Sequence, residues 1–308
     1  MSHQRRNTST FTPGSDLRAV RVALVVLLLA PSAGAGCPQV LEQYTISTAH
    51  RLPASATLPE VIAAVNENAA NIQTLYGEEV KIKPAFLPTV SAKLAYEAPR
   101  RLRLVAETAL TGTEFDLGSN DQLFWFWVRR SEPPALFYCR HDQFAHSAAR
   151  RVLPIEPQWV LEALGLATID PAATHVGPYG YEDGKLAVDT PLPRPDGTWT
   201  KTTVIDPEGG FVVEQQLRDP TGTLFARSVA SGQRRDPLNA VSLPERIELE
   251  WPAARFSLSI ELNELEVNYA QRRPQQLYAL PVALSSQHID LAAPPPRGAS
   301  LAPPSAPQ

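Results

Sequence analysis

The chain has 308 residues, a formal net charge of −4, and a composition that is 44% hydrophobic and 19% charged, which is ordinary for a globular protein. A mildly acidic chain lacks the basic footprint of a nucleic-acid-binding protein, so no nucleic-acid partner is expected. Its 30 prolines are disfavoured inside helices and central strands. We therefore expect many short elements joined by stiff turns.

The first 36 residues have the zones of an export signal. A basic zone ends at Arg21, an apolar run covers 22–30, and a small-residue zone leads to Cys37. This is the order of a secretory signal peptide. The apolar run is too short for a transmembrane span, which needs about 20 apolar residues. Residues 1–36 are therefore predicted to be a signal peptide.

Two cleavage sites fit this segment. The sequence A-G-A at 33–35 suits ordinary signal peptidase, whereas A-G-C at 35–37 is similar to a lipobox. In the second case Cys37 becomes the first mature residue and carries acyl chains such as palmitate. Lipidation is favoured because a cysteine directly after a small-residue run is unusual in an exported chain with so few cysteines. It predicts a membrane anchor on the periplasmic side of the cell envelope.

The other cysteine, Cys139, has two interpretations. If Cys37 is acylated, no intramolecular disulfide can form, and Cys139 in the apolar segment 135–139 behaves as a small buried hydrophobe. A disulfide between Cys37 and Cys139 is the alternative.

Residues 37–56 are expected to tether the anchor to the fold, and a helix follows. The sequence T-L-P-E at 57–60 is a capping-box pattern with proline near the first turn, and Gly77 is a plausible end. Apolar residues at helical spacing predict one stripe that must pack on a flat apolar partner: Leu58, Val61, Ile62, Val65, Ala69, Ile72 and Leu75.

Alternating apolar and polar residues with frequent turns then indicate an antiparallel meander. The predicted strands are 80–83, 90–96, 101–104, 114–117, 122–128, 135–139, 185–190, 198–205, 211–218, 223–229, 246–250 and 255–262, with a second helix at 157–166. About eleven or twelve strands require a large curved sheet or a sandwich. The predicted fold is mainly β (α+β), with a single domain over 57–290 and a disordered Ala/Pro-rich tail over 291–308.

Two segments resemble the LolA and LolB family of bacterial lipoprotein carriers and the related planctomycete-type envelope lipoproteins. They are YEAPRRLRL at 96–104 and FDLGSNDQLFW at 115–125, and the order of elements over roughly 57–270 is similar as well. The resemblance implies an incomplete β-barrel with helices on its concave face and an apolar cavity for acyl chains. The family's lid-latching arginine is not assigned to Arg101 or Arg103. Pro38 replaces the aspartate that retains some lipoproteins in the inner membrane, which favours the outer membrane.

Four consecutive aromatic residues at 124–127 place large apolar groups on both faces of one strand. A strand with one wet face should not have this pattern. Either the strand is buried on both sides of a sandwich, or it faces helices on one side and a ligand cavity on the other. The helix beginning at Leu58 would roof that cavity. Its candidate lining residues are Leu94, Tyr96, Leu102, Leu104, Phe115, Leu117, Phe124, Trp125, Phe126 and Trp127.

The sequence contains no G-x-S-x-G, P-loop, G-x-G-x-x-G or H-E-x-x-H motif. His141 and His146 do not share a helical face, and Cys139-x-His141 has no second ligand pair at metal spacing, so a surface histidine beside a buried thiol is expected. Glu248 and Glu250 share a strand face, which is better explained as solvated. We therefore predict no enzyme, no metal and no cofactor.

The leading hypothesis is an envelope lipoprotein that binds acyl chains, lipids or lipoproteins in an apolar cavity, with a role in lipoprotein localisation. The alternatives are a structural envelope lipoprotein without a ligand cavity and a hydrolase with an unrecognised site.

Overall fold

The computed structural model describes residues 52–53, 55–85, 88–131, 135–144, 157–269 and 274–293. The predicted signal peptide, Cys37, most of the predicted tether, His146 and residues 294–308 lie outside these ranges. Among the described residues, no helix is both long enough and apolar enough to cross a membrane.

The described residues form three short α-helices and a long series of strands. The helices are α1 (Leu58–Ala70), α2 (His141–Phe144) and α3 (Pro157–Leu161), and α3 continues into a π-helical turn (Glu162–Leu166). The strands are β1 (Thr74–Pro84), β2 (Val90–Glu97), β3 (Arg101–Thr108), β4 (Gly112–Ser119), β5 (Leu123–Val128), β6 (Leu136–Arg140), β7 (Val176–Gly180), β8 (Leu186–Arg194), β9 (Gly197–Asp206), β10 (Phe211–Arg218), β11 (Leu224–Ser231), β12 (Arg234–Asp236), β13 (Val241–Leu243), β14 (Arg246–Trp251), β15 (Phe256–Leu262), β16 (Glu266–Val267) and β17 (His288–Asp290).

One sheet of 15 strands dominates the fold. Its order is β17-β6-β5-β4-β3-β2-β1-β15-β14-β11-β10-β9-β8-β7, with β16 paired to β1, while β12 and β13 form a separate hairpin. All neighbours in the large sheet are antiparallel except β17, which pairs with β6 in parallel. Within the described ranges the two end strands, β17 and β7, do not pair with each other, so the sheet is open. The predicted mainly β fold with a large antiparallel sheet is confirmed.

Helix α1 covers one end of this sheet. The Glu60 carboxylate accepts the backbone N–H of Thr57 at 2.7 Å, which satisfies a donor at the helix N-terminus. Val61, Ile62 and Val65 are buried. Their partners in the cluster lie mainly on β8 and β9, together with the loop residue Ile169: Ile169, Leu186, Val188 and Ile205.

The predicted helical stripe was too long at its C-terminal end. Helix α1 ends at Ala70, and Leu75 lies in β1, where it pairs with Tyr96. The side chain of Asn268 accepts the N–H of Gln73 at 2.7 Å and donates to the carbonyl of Asn71 at 2.7 Å. These bonds hold the chain where it turns from helix to strand, so Ile72 and Leu75 are buried without being helical. Gly77 likewise belongs to β1.

The second predicted helix is present as α3 and the π turn, and Gly165, with φ 92°, lies near its end. It packs on the same face of the sheet as α1. Its buried residues, among them Trp159 and Leu164, join the central cluster that contains Leu94. The prediction that the helix beginning at Leu58 roofs β2–β5 was therefore wrong, because α3 approaches β4 while α1 packs near β7 and β10.

Residues 274–284 cover the opposite face of the sheet near β5 and β6. Leu280 and Leu284 pack against Trp125, Trp127 and Leu136. The chain then runs into β17. Leu291, the first residue of the predicted tail, donates its N–H to the carbonyl of Tyr138 at 2.9 Å and packs beside Phe124.

Candidate functional site

Strand alternation and register divide the ten predicted cavity residues between the two faces of the sheet. Leu94 pairs with Leu104, which pairs with Leu117. Leu117 in turn pairs with Phe126. Side chains two residues apart on a strand share a face, so most of the predicted residues lie on the face that α1, α3 and the π turn cover, here called the inner face: Leu94, Tyr96, Leu102, Leu104, Phe115, Leu117, Phe124 and Phe126.

Trp125 and Trp127 point to the other, outer face. Trp125 is 0% exposed, and its indole N–H donates to Oδ1 of Asp116 at 3.0 Å. The guanidinium of Arg103 lies 2.5 Å from Oδ2 of the same carboxylate and donates to the carbonyl of Leu277 at 2.9 Å. This buried network lies beneath the C-terminal segment. The two tryptophans therefore lie on the opposite face of the sheet from the other eight predicted cavity residues.

One end of the inner face leaves apolar side chains partly exposed. Val90 pairs with Ile82 near the end of β1, and Leu258 pairs with Pro84 at that same end. Farther along the sheet, Leu192 pairs with Trp199. The partly exposed residues that continue this line across the sheet, here called the apolar rim, are Val90, Phe115, Phe126, Leu192, Phe225, Phe256 and Leu258.

Aromatic contacts fix both ends of the rim. The rings of Phe126 and Phe137 stack at 4.8 Å with an interplanar angle of 6°. The rings of Trp199 and Phe225 meet edge to face at 5.0 Å. Such ring pairs add stabilisation beyond the burial of their area, so the rim is an ordered surface.

The inner face also contains two polar features. Nζ of Lys201 on β9 lies 2.6 Å from Oε2 of Glu162 at the start of the π turn. This ion pair connects the sheet to the helical layer, which consists of α1, α3 and the π turn. Gln215 on β10 is 1% exposed, and none of the described residues bonds either atom of its amide. An unsatisfied buried polar group costs about 1–3 kcal/mol, so this amide destabilises the packing at this point.

The residues considered for catalysis or metal binding do not form a reaction centre in the described part of the chain. Cys139 is a free, buried thiol, and burial raises its pKa to about 11, so it remains protonated at neutral pH. His141 is half-buried, not on the surface as predicted, and its Nε2 lies 2.9 Å from the carbonyl of Asn120. Burial lowers the pKa of His141, although that hydrogen bond opposes the shift.

In the described ranges, no three His, Cys, Asp or Glu side chains are arranged to hold a metal ion. Glu248 and Glu250 are exposed on β14, where they alternate with the buried Ile247 and Leu249. Their predicted place on a solvated sheet face is confirmed.

No family model matches the chain, and no curated protein matches it either. Solved structures are similar to it in fold. A DUF1329 family protein from Desulfovibrio piger is 12% identical, with 68% of this chain and 95% of that chain covered and a TM-score of 0.44. An outer membrane lipoprotein-sorting protein domain from Vibrio parahaemolyticus is 8% identical, with 69% and 94% covered and a TM-score of 0.47.

A LolA superfamily protein from Nitrosomonas europaea is 8% identical, with 71% of this chain and 97% of that chain covered and a TM-score of 0.44. The LolA-like resemblance predicted from the sequence is thus found again among solved structures. At these TM-scores it concerns the type of fold alone, an open antiparallel sheet with helices on one face. The chemistry of the site is drawn from the residues of this chain.

Proposed function

We propose that the protein is an exported envelope lipoprotein whose inner sheet face binds acyl chains of lipids or lipoproteins at the apolar rim. The observation that supports this most directly is the line of partly exposed apolar side chains across one end of the sheet. Contiguous apolar surface at one place commonly marks an interaction site. An acyl chain laid along it would gain about 0.8 kcal/mol for each buried CH₂.

The helical layer is the proposed movable cover of this site. The Lys201–Glu162 ion pair holds the π turn to β9, whereas the unpaired amide of Gln215 beneath the layer destabilises the packing there. A cover held by few polar contacts can shift when a ligand provides replacement apolar contacts. We infer that an acyl chain enters at the rim and extends beneath α3 and the π turn.

The membrane anchor belongs to the same proposal. Acylation of Cys37, which lies outside the described residues, would attach the protein to the periplasmic side of the envelope, with the outer membrane favoured. Two or more acyl chains make such attachment stable, whereas a single chain binds a membrane only reversibly. A role in lipoprotein localisation would follow if the bound acyl chains are those of other lipoproteins.

A structural lipoprotein without a ligand is the second candidate, and the strand β5 favours it. Trp125 and Trp127 are covered by the C-terminal segment, and Phe124 is buried on the inner side. Such two-sided packing is what a self-contained sheet requires. The two candidates differ in whether the partly exposed rim binds a ligand, so a measurement of ligand binding at the rim distinguishes them.

The experiment is titration of the chain from residue 38, which lacks the predicted signal peptide and Cys37, with a fluorescent fatty acid. We expect saturable binding by the parent chain. Phe126→Asp should weaken it by at least about tenfold, because an ionised carboxylate facing an apolar ligand is costly to desolvate and tenfold requires only about 1.4 kcal/mol. Leu110→Asp is the matched control, since Leu110 is 97% exposed in a turn. Absence of saturable binding by the parent chain would leave the structural candidate in place.

A further inference from the structure

A cleft lies on the outer face of the sheet, formed by β7, β8, β9, β10 and the turn that follows β10. It has a volume of about 390 Å³, and it lies across the sheet from the surface assigned to acyl chains. Its lining is more polar than apolar and includes Tyr179, Asp189, Thr198, Thr200, Gln216 and Arg218.

The register of β8, β9 and β10 arranges the floor of this cleft in two rows. Asp189 pairs with Thr202, and Thr202 pairs with Gln216, so a carboxylate, a hydroxyl and an amide cross three strands side by side. In the next row Thr200 pairs with Arg218. Neighbouring strands lie about 4.8 Å apart, so the rows present polar groups at short, regular intervals.

Hydrogen bonds hold the groups at the margins of the floor in place. The hydroxyl of Thr202 donates to Oδ1 of Asp189 at 2.6 Å. On the other side, Arg218 donates to Oε1 of Gln216 at 2.8 Å, and Gln216 donates to the hydroxyl of Tyr181 at 3.1 Å. These side chains are therefore pre-organised, which lowers the entropy cost of binding.

Between these margins, the hydroxyls of Thr198 and Thr200 bond no other residue in the described part of the chain. A hydroxyl can both donate and accept hydrogen bonds. Tyr179 borders the cleft with 38% of its surface exposed, and burial together with Asp189 raises its pKa to about 12. Its phenol therefore stays protonated, and its ring offers an apolar face beside the polar floor.

This combination suits a ligand that carries many hydroxyls and also has an apolar face. The ring hydroxyls of a sugar can both donate and accept, and its C–H face packs on an aromatic ring. The lining contains two carboxylates, Asp189 and Asp219, against the single guanidinium of Arg218, so an anionic ligand is disfavoured. We propose that this outer-face cleft binds a neutral saccharide, independently of acyl binding at the rim.

The test is calorimetric titration of the chain from residue 38 with chitotetraose, cellotetraose and, as an anionic comparator, a galacturonate tetramer. At least one neutral tetramer should bind, and the galacturonate tetramer should bind at least about tenfold more weakly. Tyr179→Ala should weaken neutral binding by about tenfold or more, which is a loss of about 1.4 kcal/mol. Thr200→Val, which removes one hydroxyl at nearly constant volume, should weaken it as well.

Tyr269→Ala is the matched control, because Tyr269 is a 43% exposed tyrosine outside the cleft, and it should bind the tetramer as the parent does. Circular dichroism verifies that each variant folds, and fatty-acid binding should be unchanged in Tyr179→Ala. No binding of either neutral tetramer at concentrations up to about 10 mM, where a Kd in the millimolar range would be detected, would overturn the proposal. So would preferential binding of the galacturonate tetramer, or neutral binding that neither Tyr179→Ala nor Thr200→Val weakens.

Discussion

Gly118 is a position where a single added methyl group should disturb the packing of the sheet. It lies on β4 opposite Trp125 on β5, and the indole occupies the space where a side chain would be. A Cβ atom placed at Gly118 would lie 2.1 Å from Cζ2 and 2.4 Å from Cε2 of Trp125. The tryptophan is fully buried, so its ring can move aside only by losing the hydrogen bond to Asp116.

The expected cost of Gly118→Ala follows from these contacts. Forcing an extra carbon into a packed site costs about 1–3 kcal/mol, and loss of a hydrogen bond to a charged group costs about 1.5–3 kcal/mol. Replacing glycine by alanine restricts the unfolded chain and returns about 0.4–1 kcal/mol. The net loss in the free energy of unfolding should be about 3 kcal/mol, measured by urea denaturation followed by tryptophan fluorescence and circular dichroism.

Gly180 is the matched control for this substitution. It also lies in a strand, β7, and a Cβ atom there would have no neighbour within 4 Å. Gly180→Ala should leave the free energy of unfolding unchanged or raise it by up to about 1 kcal/mol. If the two variants unfold at the same urea concentration, the assigned packing of Trp125 on Gly118 is refuted.

Three further predictions concern the buried network, the half-buried His141 and the anchor. Asp116→Asn leaves the guanidinium of Arg103 without its carboxylate beneath the C-terminal segment and should cost about 3 kcal/mol in urea unfolding; a loss below about 1 kcal/mol would contradict the network. Burial lowers the pKa of His141 below 6.5, against the opposing bond to Asn120, so the unfolded state binds the proton first as pH falls. The free energy of unfolding should therefore decrease below about pH 6.5, and His141→Gln should flatten that slope; an identical slope in the variant would show that another group titrates. Cys37→Ala should move the protein from the membrane fraction to the soluble fraction or leave it unprocessed, and a mature N-terminus with an unmodified Cys37 thiol in mass spectrometry would rule out the anchor.

The regular strands could be predicted from the sequence because each carries its own pattern. In β15 apolar residues occupy alternate positions from Phe256 to Leu262, and β10 matches its predicted range of 211–218. The short strands could not be found in this way. Strand β7 reads V-G-P-Y-G and has no buried alternate face, and β17 has three residues whose pairing with β6 is parallel. Their positions depend on partners that are distant in sequence.

The apolar residues of the inner face could also be predicted from the sequence, but the face on which each aromatic residue of 124–127 lies could not. The run at 124–127 is apolar at every position, so alternation could not show which pair faces the helices. That choice depends on Leu280 and Leu284, which cover Trp125 and Trp127 from the C-terminal segment.

The sequence did not predict the rim residues on β8, β11 and β15, for a similar reason. Leu192, Phe225 and Leu258 come together only through the register of strands that are far apart in the chain. The clean alternation of 256–262 was the one local signal for a face of this kind, and it did not show that the face is partly exposed.

Binding of acyl chains to the inner face is tested most directly by photocrosslinking. The chain from residue 38 would be saturated with a photoreactive palmitate and irradiated, and the labelled residues would be identified by fragmentation mass spectrometry. Labels are predicted on the apolar rim, with Phe115, Phe126 and Phe256 among them, and an excess of unlabelled palmitate should suppress them. Labels confined to outer-face residues such as Thr200 and Glu248, or spread evenly and insensitive to competition, would contradict acyl binding at the rim.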